Sequence, residues 1–305
     1  MTAAARQYQP GELVPGTIYR VLRHLATGGM GSVYDVEDTT VGKRYVLKTL
    51  HPNLVARADL ARRMAAEART LGRLSHTNIV EVVTAGQTAD VPPLPYYVME
   101  RLNGQNLRSV LEKRGALPED QALPIAIELL DALDHAHEHQ VVHRDVKPDN
   151  IVLVTHRDDD GKPCDVVKVC DFGLAKLRAG APTSPDAQQG DGEQTMAGAL
   201  CGSPSYMSPE QLLGETLDAR SDIHALGVTL YEALSGTLPH EGAGLTELFV
   251  KKLTGEPTPL RVHLPNVDAA LESTIMRALS REKSKRQEDA RAFRQELRDL
   301  LARLH

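Results

Sequence analysis

Asp145, Lys147 and Asn150 lie close together in "VVHRDVKPDN", residues 141–150, just after a short β-branched run. A carboxylate can orient an attacking hydroxyl and take its proton, an ammonium can neutralise a moving phosphate, and an amide oxygen can bind a hard cation. Phosphoryl transfer from ATP asks a protein for these groups, because the protein's work there is positioning and charge neutralisation. A second metal-binding oxygen is still needed. It is found in "KVCDFGLAK", where an apolar run ends in Asp171, followed by Phe172 and Gly173. Magnesium binds through few protein oxygens plus phosphates, so Asn150 and Asp171 suffice.

A glycine cluster lies far upstream. "LATGGMGSV" comprises Leu25, Ala26, Thr27, Gly28, Gly29, Met30, Gly31, Ser32 and Val33. Glycines let backbone N–H groups approach phosphate oxygens, although a purely structural turn explains such a cluster equally well. Dinucleotide fingerprints and Walker loops lie between a strand and a helix. This cluster lies between two strand-like runs, so it reads as the tip of a hairpin folded over a nucleotide. Lys48, on the next strand, is placed to reach phosphates, the plain alternative being a solvated strand lysine. Glu67 sits within the apolar pattern of the following helix, between Met64 and Leu71, and an acid there needs a partner. Lys48 is the natural one.

The elements that must carry these groups fall into two textures. Up to about residue 102 the chain reads as strands, "YRVLRHL", "SVYDVED", "KRYVLKTL", "IVEVVTAG" and "PYYVMERL". One helix interrupts them, with Leu60, Met64, Ala68, Leu71 and Leu74 at helical spacing. Beyond residue 103 the pattern is helical. "SDIHALGVTLYEALSG" is apolar on nearly every face, the mark of a helix at a domain centre. The closing helix carries Ala290, Phe293, Leu297, Leu300, Leu301 and Leu304 as one stripe. Residues 178–200, rich in Gly, Pro, Gln and Ala, read as a mobile loop. The expected organisation is a flexible lead-in over 1–16, a small β-rich lobe over 17–102 and a larger α-rich lobe over 103–305, an α+β arrangement.

Composition sets bounds. The 305 residues carry a net charge of −6, which gives no support to nucleic acid as the partner. No apolar run is long enough for a membrane span, and "MTAAARQYQPGELVPG" has no signal-peptide core. Three cysteines without metal-ligand spacing fit a reducing cytoplasm. His135 and His139 are four apart on a helix, but no flanking Cys or carboxylate completes a zinc set, so they and their neighbours read as helix-end polar groups.

"HRDVKPDN" followed by "DFG", in this order after the glycine loop, the strand lysine and the helix glutamate, resembles the eukaryotic-type (Hanks-type) protein kinases over about residues 19 to 302. "GGMGSVY" and "YMSPEQ" look most like the bacterial serine/threonine members. The resemblance implies the bilobal protein kinase fold, with ATP and Mg²⁺ (or Mn²⁺) in the cleft between the lobes. It makes Asp145 the catalytic base and puts Lys147 on the transferring phosphate. Asn150 and Asp171 become the metal ligands, and Lys48, paired to Glu67, holds the α and β phosphates. "VMERL" matches the hinge, with Met99 as gatekeeper and the backbone of Glu100 and Leu102 reading adenine, sandwiched by Leu25, Val33, Val46 and Val152. His143, Phe172, Leu71 and Val82 match the apolar spine. Glu210 and Arg286 match the ion pair that fastens the activation segment (171–210), and Asp222 matches the anchor beneath the catalytic loop. Lys147 with "GSPSYMSPE" implies Ser/Thr specificity, with Ser203 near the substrate hydroxyl.

Ala26 stands where the family has its first loop glycine, Val46 where it has a small residue, and Gln287 where it has a proline, the last a minor change. The extra methyls of Val46 lie where adenine should stack. Two rivals follow: a kinase-fold scaffold (pseudokinase) with weak nucleotide binding, and a small-molecule kinase of related fold. Five retained polar residues, Lys48, Glu67, Asp145, Asn150 and Asp171, argue against the first, and the peptide platform "GSPSYMSPE" against the second. The expected partners are protein substrates and a second copy of the chain. Thr195, eight residues before Ser203, has the spacing of the activating threonine of bacterial relatives, and Arg144 is the cation that its phosphate would meet.

Overall fold

The alternating runs of the first hundred residues become a five-stranded antiparallel sheet, order β1-β2-β3-β5-β4, in a computed structural model of the chain. The structure describes residues 7–28, 31–55, 58–157, 163–172 and 204–304, without the side chains at positions 58, 59, 63, 67, 156, 157, 163 and 164. It divides into two compact units, Met1–Asn103 and Gly104–His305.

In the first unit the strands are β1 (Tyr19–Thr27), β2 (Gly31–Asp38), β3 (Arg44–Leu50), β4 (Val82–Gln87) and β5 (Pro95–Glu100), with helix α1 (Ala58–Leu71) between β3 and β4. Side chains alternate across a strand. Tyr34, Val36, Tyr45, Leu47 and Val98 thus share one buried cluster, while Leu50 and Tyr97 join Leu60, Met64 and Ala68 of α1 in another. The apolar stripe expected of α1 is buried in full, Leu71 and Leu74 included.

The expectation of a flexible lead-in needs correction. Residues 7–16 are ordered against the sheet. Tyr8 and Val14 are buried in the cluster with Tyr34, and the backbone of Gly11 and Glu12 exchanges hydrogen bonds with that of Val21. The Tyr8 hydroxyl donates to Asp90 at 2.5 Å. Tyr8 and Val14, the latter beside an exposed Leu13, carry no periodicity in this Gly- and Pro-containing stretch, so burial here comes from tertiary packing alone. Residues 1–6 lie outside the described part.

The second unit opens with β6 (Gly104–Asn106), α2 (Leu107–Arg114) and α3 (Glu119–Glu138), and β6 joins β7 (Ile151–Arg157) and β8 (Pro163–Val169) in a three-stranded sheet with β7 at its centre. After the segment 173–203, which lies outside the described residues, come α4 (Pro209–Leu213), α5 (Ala219–Ser235), α6 (Leu245–Thr254), α7 (Ala269–Ala278) and α8 (Ala290–Leu304). Every residue of α5 from Ser221 to Leu234 is buried, as its all-round apolarity implies. Gly227 permits the close approach of α5 and α7, since a Cβ there would lie 2.9 Å from that of Ala278. In α8, Ala290, Phe293, Leu297 and Leu300 are buried. Leu304 is not, at 46% exposed; the final turn, 302–304, lies in solvent, so the expected stripe ends a turn early.

Candidate active site

The stretch "VVHRDVKPDN" forms a loop between α3 and β7, closed by a short 3₁₀ turn over Pro148–Asn150. Asp222, near the start of α5 and wholly buried, fixes it from beneath. Its carboxylate accepts the backbone N–H groups of His143 and Arg144, each at 2.8 Å, and the His137 Nε2 at 2.8 Å. Burial raises the pKa of Asp222, but the His137 bond and charge with the backbone donors bring it below the ordinary carboxylate value. The anchored loop tolerates a non-glycine residue in the left-handed region, Arg144 at φ 70°.

His143 is buried and held in one tautomer. Its Nδ1 accepts from the Asp145 N–H at 3.2 Å, so Nε2 carries the proton donated to the Cys170 carbonyl at 3.1 Å. Burial lowers its pKa, in keeping with a neutral ring. The Phe172 ring lies 4.4 Å from it, centroid to centroid. Two predicted spine residues are thus brought together. The other two, Leu71 and Val82, belong to the first unit, where Leu71 is buried and Val82 packs against the α1 cluster.

Within the loop the polar residues converge. Asn150 donates through Nδ2 to the Asp145 carbonyl at 2.8 Å and to its Oδ2 at 2.9 Å, and the Lys147 Nζ lies 3.2 Å from the same oxygen. With its amide nitrogen so used, Asn150 has Oδ1 to offer a cation. Asp171, at φ 53°, follows directly on Cys170, whose N–H donates to the Asn150 carbonyl at 2.9 Å. The donor set of Asn150 and Asp171 is all oxygen, which fits a hard divalent ion.

The platform beyond the 173–203 segment is fastened separately. Glu210 and Arg286 form a buried two-pronged pair at 2.7 and 2.9 Å, and the Ser221 hydroxyl donates to the same carboxylate at 2.7 Å. Burial raises the Glu210 pKa, but Arg286 outweighs it, so the group is held low. The Gln211 Nε2 donates to the Arg144 carbonyl at 2.8 Å, which ties platform to loop.

In the first unit the ladder sets Val33 opposite Lys48 and Lys48 opposite Tyr97, and the Lys48 Nζ lies 5.7 Å from the Tyr97 ring centre. Val46, opposite Asp35 and Met99, is half-buried. Leu25, Ala26, Thr27 and Gly28 are exposed toward the hairpin tip. The Gly28 N–H closes the tip on the Gly31 carbonyl at 2.9 Å. Gly31 has a structural reason to be glycine, because a Cβ would fall 2.0 Å from the Thr49 carbonyl oxygen. Gly28 has none of that kind: its imagined Cβ meets only the Gly31 oxygen, at 3.8 Å. The Glu100 N–H is committed to the Glu81 carbonyl at 2.9 Å, which leaves its carbonyl for the adenine contact that the resemblance implies. Val152, in the second unit, is half-buried on β7. Gly29, Met30, the Glu67 side chain, Gly173, Thr195 and Ser203 lie outside the described residues, and with them the Lys48–Glu67 pair.

Three residues with structural roles here escaped sequence reasoning. His137, grouped with helix-end polar residues, is instead a partner of Asp222; four residues after buried Leu133, it lies on the packed face of α3. His51 bonds the Gly28 carbonyl at 2.9 Å. Gln287, read as a minor change, is buried and donates to the Thr274 carbonyl at 3.0 Å. The rings of His135 and His139 pack against each other tilted by 44°, their centres 4.5 Å apart.

Residues 19–304 match the protein kinase domain family. Serine/threonine-protein kinase Pkn1 of Myxococcus xanthus is 40% identical over 285 residues, 93% of this chain and 38% of that protein. Serine/threonine-protein kinase PknA of Mycobacterium tuberculosis is 36% identical over 262 residues, 85% of this chain and 56% of that protein. The chain thus spans between about a third and somewhat over half of the length of such relatives. Among solved structures, the kinase domain of Mycobacterium tuberculosis PknI matches with a TM-score of 0.70 at 25% identity, covering 96% of this chain and 99% of that one. The chain belongs to the protein kinase domain family, and the two relatives named above are bacterial serine/threonine-protein kinases.

Proposed function

We propose that this chain transfers the γ-phosphate of ATP to serine and threonine hydroxyls of proteins, its own among them. The observation that carries the reading is the Asp145 carboxylate, held by Asn150 and Lys147 on a loop pinned from beneath by Asp222. A substrate hydroxyl donates its hydrogen bond to Asp145. Its oxygen forms a bond to the γ-phosphorus as the bond to the β–γ bridging oxygen breaks. The proton passes to Asp145, and ADP leaves with the bridging oxygen. Lys147 neutralises charge on the moving phosphoryl group, and Lys48 holds the α and β phosphates. The neutral His143 ring and the buried Asp222 keep the loop in register. Asn150 Oδ1 and the Asp171 carboxylate would hold Mg²⁺, or Mn²⁺ in its place, which supplies charge neutralisation across the phosphates.

Regulation follows from Arg144. Its Nε and Nη1 are buried without a hydrogen-bond partner among the described residues, and burial lowers its pKa. A phosphate on Thr195, added by a second copy, would satisfy that guanidinium. The enzyme works where ATP is supplied, in the cytoplasm. Among the described residues no helix is long and apolar enough to cross a membrane.

The test is incubation with γ-labelled ATP and Mg²⁺, followed by mass spectrometry of the protein. Label on Ser or Thr, lost on chelation of the metal, is the expected result, with Thr195 modified first and a lag that shortens as protein concentration rises. Nucleotide binding without transfer to any protein acceptor would leave a scaffold in its place.

A further inference from the structure

Asp35 lies on β2 with no exposed surface, two positions from Val33 on the same sheet face and directly opposite Val46. A carboxylate sealed from water needs partners. Three guanidiniums supply them: Arg23 of β1 at 3.1 Å, Arg44 of β3 through Nε at 3.3 Å and again through Nη2, and Arg101, past the end of β5, at 3.3 Å. Burial pushes the carboxyl up, but hydrogen bonds from Arg44 and Arg23, with the charges of Arg44 and Arg101, hold it below the usual carboxylate value.

The three arginines do different things. Strands β1 and β3 are already joined to β2 by their backbone ladders, so Arg23 and Arg44 add charge to a placement the sheet has made. Arg101 lies beyond the last β5 ladder pair, Tyr45–Glu100, where no strand pairing fixes the backbone. Its guanidinium donates to Asp35 and also to the Asn103 side chain, linking β2 to the last residue of the unit.

Position 101 is the joint between two rigid peptide planes. One carries the Glu100 carbonyl and the other the Leu102 N–H, the backbone groups assigned to adenine. Turning either group away means rotating about Arg101 φ or ψ, against charge-assisted bonds that hold its guanidinium through Nε and Nη1.

We propose that Asp35 and Arg101 are positioning residues for base recognition: Asp35, acting through Arg101, orients the Glu100 carbonyl and the Leu102 N–H toward the adenine edge. The proposal rests on the reading of this unit as adenine-binding. It requires that the pair govern which base is accepted and not merely how stable the unit is. Adenine and guanine present opposite hydrogen-bonding groups at the six-position, so loss of orientation reduces the preference for ATP over GTP.

The experiment measures kcat and KM for ATP and for GTP, together with the thermal midpoint, in the wild-type chain and in Arg101→Met, Asp35→Asn, the double variant and Arg23→Met. Arg101→Met should raise the KM for ATP about fivefold with kcat within about twofold, and cut the ATP-to-GTP ratio of kcat/KM by a similar factor. Adding Asp35→Asn to Arg101→Met should shift that ratio no further, while Arg23→Met leaves it unchanged. Should Asp35→Asn fail to fold, Arg101→Met and Arg101→Lys decide alone, the lysine restoring part of the ratio. An Arg101→Met enzyme with wild-type KM and base preference overturns the proposal. A wild-type chain that binds no adenine nucleotide overturns the functional reading, and this inference with it.

Discussion

Asp222 and Asp35 are both shut off from solvent, yet Asp222 is satisfied by two consecutive backbone N–H groups and one imidazole, and Asp35 by three arginine side chains. Backbone donors on adjacent residues fix dihedral angles directly, which is how the loop around Asp145 keeps Arg144 in the left-handed region. Arginines reach from the end of flexible stems. They hold a backbone less directly, through the length of the side chain. The chemical step requires reacting atoms held to fractions of an ångström, and the rigid arrangement sits beneath the residues assigned to it. The looser one sits beside the residues assigned to the base.

The largest expected effect tests the rigid side. Asp222→Asn removes a buried charge from its partners and should cost about 3–5 kcal/mol, with transfer lost alongside. Asp35→Asn should cost less, because Arg23 and Arg44 remain partly in water. Chemical denaturation of both variants measures the difference, and equal losses would break the comparison. The pH dependence carries a sign. The folded pKa of Asp222 is depressed, so its contribution is fully present above the unfolded value of about 3.9 and is lost as pH falls through the folded value. The gap between wild type and Asp222→Asn should stay level from neutral pH to about 4 and close below it.

Next in size is Lys48→Met, which keeps much of the stem and removes the charge. Transfer should fall about 10²-fold with little change in stability. Lys43→Met, which removes a cation in the turn before that strand, 5.3 Å from the Tyr45 ring centre, is the control and should leave transfer unchanged. Equal effects at both would reduce Lys48 to a strand lysine. Smallest is Val46→Ala. If the valine crowds adenine, relief of overpacking worth about 1 kcal/mol should tighten ATP several-fold in a binding titration. Unchanged or weaker binding would mean that the pocket already accommodates Val46.

How much could be read from sequence followed the range of the interactions. The sheet, the α1 stripe and the buried α5 are written in local periodicity, and "HRDVKPDN" with "DFG" packs most of the chemistry into two contiguous stretches. The Glu210–Arg286 and Asp222 anchors, 76 and 79 residues from the groups they hold, came only through resemblance to a family. Where neither signal operated, the reading failed. Tyr8 and Val14 belong to no periodic pattern, and their burial is decided by Tyr34 and the sheet. His137 gains its meaning from an acid 85 residues later, although its place four residues after Leu133 on α3 was a usable hint. The Asp35 cluster collects arginines from three separate segments, and nothing in their spacing announces it.

In the proposed reaction Asp145 takes the proton of an attacking hydroxyl on a loop held rigid by Asp222. This role is tested most directly by comparing wild type with Asp145→Asn for ATP affinity, thermal midpoint and the rate of label transfer at saturating ATP and Mg²⁺. Affinity and midpoint should match, with transfer slower by about 10²–10⁴-fold. An Asp145→Asn chain that folds, binds ATP and keeps more than about a tenth of the wild-type rate would contradict it.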